Sequence, residues 1–166
     1  MNIASLNALL AADGVRVDDA ALLPPKAEQS QTIFVRLQSG DNDFADGFSA
    51  QVPKNIAVSL LKMKTETGAL SRQRIFELSA DQILGVAVNA QKQVLWWAVQ
   101  PDPIVFRAEV SDNSGRLSGK ARYRQETEML VSLPAAAGIA EVRLYRPIWD
   151  GVSTYSLELI GGLNLK

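Results

Sequence analysis

The sequence predicts a mainly β fold: an antiparallel β-sandwich with a short N-terminal helix or irregular segment. Three observations carry that prediction. Beyond residue 31, short runs rich in Val, Ile, Leu and aromatics recur at intervals of about ten residues, the rhythm of strands joined by turns. Gly, Pro, Asn and Asp gather between the runs, where turns use their backbone preferences. No regular helix separates consecutive runs, which argues against a parallel α/β sheet. With 166 residues, 47% of them hydrophobic and 21% charged, the chain has apolar material enough for one soluble domain without disulfide or metal staples.

The elements follow in order. Ile3, Leu6, Leu9 and Leu10 fall at the spacing of one helical face, and Asp13-Gly14 is a stop signal, so 3–12 is expected to be a short helix. The stretch 22–31, "LLPPKAEQSQ", is polar and proline-bearing and reads as a connector. The expected organisation is therefore an N-terminal segment at 1–30, placed to pack on the sandwich, and a sandwich domain at 31–166. Candidate strands lie at 31–38, 47–52, 55–63, 72–79, 83–90, 92–100, 104–111, 119–125, 127–133, 140–149 and 152–160. Merging should reduce them to about seven to nine.

Asp150-Gly151 predicts a two-residue type I′ turn. In that register Trp149 faces Val152, Leu144 faces Leu157, Val142 faces Leu159 and Arg143 faces Glu158, an apolar face backed by a charged pair. Pro147 within the first strand argues for an edge or a bulge. Within 104–110, Ile104, Phe106, Ala108 and Val110 alternate with Val105, Arg107 and Glu109, one set for the core and one for water. Thr127, Met129, Val131 and Leu133 repeat the pattern. "VLWWAV" at 94–99 is apolar on both faces, as in a central strand or one covered on its outer side. This rhythm, the final hairpin and a tryptophan-bearing strand resemble in architecture an Ig-like or fibronectin-like sandwich of a bacterial exported or accessory protein, over roughly residues 31–166.

Composition removes whole chemistries. The chain has no Cys and no His, which excludes thiolate nucleophiles, Cys-ligated metals and the usual general base. A net charge of −1 gives no overall attraction to phosphate backbones, so no nucleic-acid partner is expected. The charge is uneven: residues 1–50 balance to −4 and the remainder to +3. No apolar run approaches the roughly 20 residues of a membrane span. The first residues lack the basic start of an export signal; if a signal has been removed, a periplasmic or extracellular place is favoured.

Several groups could carry function. Asp41, Asp43 and Asp46 concentrate oxygen ligands suited to calcium, although Ala45, Asp46 and Val52 break the EF-hand pattern and a polar turn is the competing account. Trp96 and Trp97 point to opposite faces of a strand, so one indole is expected in the core and the other is the candidate for carbohydrate stacking. Arg122 and Arg124, with Lys120, share a strand face that fits an anionic ligand or a solvated edge, and Tyr123 lies opposite. Glu126 and Glu128 are near enough for carboxylate acid–base work. Ser59 with Lys62 and Lys64, and Ser118 with Lys120, form no S-x-x-K motif. The leading expectation is a non-catalytic binding or assembly module with a protein partner. A carbohydrate-binding module and a small carboxylate-dependent enzyme are the alternatives.

Overall fold

The structure, a computed structural model, describes residues 3–24, 26–71, 73, 77–111 and 113–165. Helix α1 (Ile3–Leu10) tightens into a 3-10 turn at Ala11–Asp13 and ends at Gly14, whose φ of 67° supplies the left-handed cap that the Asp13-Gly14 pair predicts. The strands among these residues are β1 (Lys26–Ser39), β2 (Phe48–Ser49), β3 (Ile56–Ser71), β4 (Gln82–Val88), β5 (Val94–Pro101), β6 (Val105–Ser111), β7 (Leu117–Arg124), β8 (Glu126–Pro134), β9 (Glu141–Trp149) and β10 (Tyr155–Asn164). Each strand pairing is antiparallel. The mainly β class with a short N-terminal helix is therefore as the alternation predicts.

The strands form three sheets, ordered β3-β1-β8, β10-β9-β4-β5 and β2-β7-β6. The first two stack on one core, in which Ile33, Val35 and Leu37 of β1 and Met129, Val131 and Leu133 of β8 meet Ile83, Ala87, Trp96, Val142 and Leu144. Period-2 alternation in β1 and β8 puts these six side chains on one face. At one margin of the stack β10 approaches β3, where Gly161 lies against Val58.

A second core lies on the outer face of the four-stranded sheet. Leu6 and Leu10 of α1, with Val15, cover Leu84, Val86, Val88, Val94, Trp97 and Tyr145. This is the cover that the doubly apolar "VLWWAV" requires. A bulge sets the division of side chains: Ala87 pairs with Trp96 and Val88 with Val94, leaving Leu95 unmatched. Leu95 and Trp96 therefore join the inter-sheet core while Trp97 joins the core under α1. β5 is an edge strand, not a central one. Its open side is closed by the N-terminal segment, through Val94 N–H to Arg16 O (2.8 Å) and Leu23 N–H to Leu95 O (3.0 Å). Gln73 completes the closure, its Oε1 accepting from Val99 N–H at 2.8 Å.

Several details differ from the sequence reading. Ten strands are present among the described residues, more than seven to nine, because nearly every short run stays separate. β1 starts at Lys26, within the expected connector, because β3 continues to Ser71 and gives it a partner. Of the candidate strand at 72–79, Gln73 and 77–79 are in no strand and the remainder lies outside the described residues. The C-terminal hairpin is not two-residue: Trp149 pairs with Tyr155, Pro147 with Leu157 and Tyr145 with Leu159, and a bulge then brings Val142 opposite Leu163. The reason is local. Asp150 accepts from the N–H groups of Val152, Ser153 and Thr154 (2.8, 2.9 and 3.1 Å), which organises a longer loop. Pro147 is tolerated because β4 pairs with β9 only as far as Tyr145.

The third sheet is joined to the stack by a buried ion pair. Arg146 of β9 lies 3.1 Å from Asp102, in the β5–β6 connection, and donates to Pro53 O (3.2 Å) ahead of β3. Asp102 in turn accepts from Ile104 N–H at 2.9 Å, fixing the turn into β6.

Candidate functional site

The sheet β2-β7-β6 presents the surface with the most chemistry. Its register sets Phe106 opposite Arg122 and Phe48 opposite Arg124, and residues paired across antiparallel strands share a face. Phe106 is thus not a core residue, as its alternation with Arg107 suggests, but 40% exposed. Core and solvent faces of an alternating strand look alike until a covering layer is placed, and among the described residues none lies over this side of Phe106.

The loop before β2 holds Phe48 in position. Ala45 and Phe48 exchange both backbone hydrogen bonds, each 2.9 Å, around Asp46 and Gly47 with φ of 52° and 80°. Two central residues with positive φ make a tight two-residue turn. The Asp-Gly pair that forms such a turn is therefore Asp46-Gly47, while Asp150-Gly151 forms the longer loop. Phe48 and Phe106 then stand 5.9 Å apart with rings tilted by 48°. The Arg124 guanidinium lies 5.4 Å from the Phe106 ring centre and donates to Pro103 O at 3.2 Å.

Arg122, by contrast, is exposed and has no ion-pair partner among the described residues. Together with Ala45, Asp46, Phe48 and Phe106 it lines an open depression of about 380 Å3. Phe48 and Phe106 supply, from neighbouring strands, the aromatic surface that Tyr123 on the opposite face does not. A free guanidinium beside two phenyl rings can hold a carboxylate or phosphate next to an apolar group.

The remaining candidates are placed elsewhere. Trp96 and Trp97 are 2% and 1% exposed, so neither offers a stacking face: both sides of β5 are covered, one by the first sheet and one by α1. The exposed indole is Trp149, 43% exposed and 4.9 Å from the Tyr155 ring at the tip of the last hairpin. Its position directly before Asp150-Gly151 is the signal that could have found it.

Asp41 and Asp43 line one open basin and Asp46 another. Asp41 accepts from Lys54 N–H (2.8 Å) and Asn55 Nδ2 (2.7 Å), and the Lys54 N–H chiefly holds its carboxyl below the usual range. Asp43 accepts from the Ser49 hydroxyl (3.2 Å). The three carboxylates are thus loop-forming groups that do not converge, and among the described residues no set of three acidic side chains could hold a metal ion. Glu126 and Glu128 face Arg36 of β1 at 3.4 and 3.0 Å, an exposed ion cluster. No helix among the described residues is long and apolar enough to cross a membrane. No family model, no curated protein and no solved structure matches the chain.

Proposed function

We propose that this chain is a non-catalytic binding or assembly module, an Ig-like or fibronectin-like unit of a bacterial exported or accessory protein, and that a protein partner docks on Phe48, Phe106 and Arg122. One observation carries the reading: two half-exposed phenyl rings and a guanidinium with no ion-pair partner among the described residues share one depression. Aromatic residues and arginine supply a large share of binding energy where proteins meet. The fitting partner presents an acidic group beside an apolar side chain. A sequence with neither His nor Cys supports binding over turnover.

Selection from a displayed peptide library tests this. Acidic, aromatic-containing peptides are expected, with binding at least about tenfold weaker for Arg122→Glu and for Phe106→Ser. Selected peptides indifferent to both changes would overturn the assignment. So would a single-stranded oligonucleotide that competes for the depression, or turnover of a defined substrate lost on one carboxylate or lysine change.

A second reading, carbohydrate binding, rests on Trp149 exposed beside Tyr155. Glycan-array binding lost in Trp149→Ala would support it, and a silent array would remove it.

A further inference from the structure

We propose that β3 is the seam of a symmetric homodimer, in which two copies join their β3-β1-β8 sheets edge to edge through residues 62–68. The inference is independent of the depression on the third sheet. β3 is 16 residues long, about three times an average strand. It is the terminal strand of its sheet, bonded to β1 on one side and to no strand on the other among the described residues. Residues 59–69 are exposed throughout, so no layer covers either face there. A long open edge of this kind is a template for another strand.

The register identifies that strand. From Lys62 to Thr67 the pairing with β1 is unbroken, and irregularities flank this straight segment at Leu61 and at Gly68-Ala69. Along an antiparallel strand, alternate residues direct their N–H and C=O groups to the same side. Two copies related by a twofold axis can therefore pair only with the axis through a residue position. With the axis at Thr65, Lys64 of each copy faces Glu66 of the other, Met63 faces Thr67 and Lys62 faces Gly68. With the axis at Lys64 or Glu66, like charges meet at the centre. With the axis at Met63, Lys62 faces Lys64. An axis at Thr67 would set Glu66 opposite Gly68 and Lys64 opposite Leu70, so only the Thr65 register places each lysine at 64 against a glutamate at 66. Lys64 and Glu66 already pair within one chain, and the twofold turns that pair into a ring of four alternating charges.

Sedimentation velocity on the full chain tests this, with circular dichroism to confirm an unchanged fold. The wild type is expected to sediment at twice the 18.0 kDa chain mass. Lys64→Glu and Glu66→Lys should each weaken self-association at least about tenfold, since each sets like charges opposite one another twice. An equimolar mixture of the two variants should restore a dimer, because 64 and 66 are then opposite in sign at both contacts. A structural role within one chain predicts no such rescue. A wild type that stays monomeric at a concentration on the order of 100 µM, well above a micromolar Kd, overturns the proposal. So does a dimer indifferent to both changes, or a mixture that fails to reassociate.

Discussion

Arg146 Nε stands 3.1 Å from Oδ2 of Asp102, and the two side chains are 4% and 0% exposed. A buried charge that loses its partner is left without compensation. Asp102→Ala is expected to cost about 3–5 kcal/mol in urea unfolding. Arg146 Nη2 is itself buried without a partner, so the pair is imperfectly satisfied. Asp102→Asn combined with Arg146→Met should therefore recover most of that loss, and a double variant as unstable as the single one would contradict this account.

The margin where β10 meets β3 leaves no room for a side chain. A Cβ at Gly161 would fall 2.6 Å from Val58 Cγ2 and 3.0 Å from its Cβ, and the branched valine cannot swing away. Gly161→Ala is expected to cost about 1–3 kcal/mol. Val58→Ala in the same molecule should return part of it, giving a coupling that a double-mutant cycle measures.

Leu6 is wholly buried against the outer face of the second sheet. Leu6→Ala is expected to destabilise by about 2–5 kcal/mol. Because Trp97 lies in the same cluster, loosening the helix should shift tryptophan emission to longer wavelength before global unfolding. Emission that changes only with the main transition would show that α1 and the sheet melt as one unit.

The carboxylate of Asp150 is held well below its ordinary range by three backbone N–H groups, Val152 first, and by the Thr154 hydroxyl. Its folded pKa lies below the unfolded value, so its contribution is complete above that value and is lost as pH falls beneath it. Amide resonances of Val152, Ser153 and Thr154 should stay fixed from neutrality through the ordinary carboxylate range and move only well below it. In Asp150→Ala they should be displaced at every pH, with faster hydrogen exchange.

The class of the fold was legible because strand period is a local property: Ile33, Val35, Leu37 and Met129, Val131, Leu133 alternate in the sequence as they do in the core. The helix and its stop at Gly14 were legible for the same reason. Register was not. Asp46-Gly47 and Asp150-Gly151 are the same dipeptide, and only the loop closed by the Asp150 carboxylate, against the direct Ala45–Phe48 pairing, separates them. The site was half legible. Arg122 and Arg124 stood out as basic residues on one strand face, but Phe48 and Phe106 join them through pairings with partners 76 and 16 positions away along the chain, which no local pattern encodes. The tryptophans misled because exposure depends on which surfaces α1 and the first sheet cover, a matter of tertiary packing.

The unmatched Leu95 bears on how this chain tolerates insertion and deletion. Removing Trp96 or Trp97 would take an indole from its layer, and removing Ala98 would turn over the side chains beyond it. Removing Leu95 would only straighten the ladder, since Val94 and Trp96 already pair with the consecutive residues Val88 and Ala87. The loss would be one leucine from the inter-sheet core and the bond from Leu23 N–H to the Leu95 carbonyl. Length variation in this strand among any descendants of the sequence should therefore gather at position 95, where a residue can be lost while both layers keep their tryptophans.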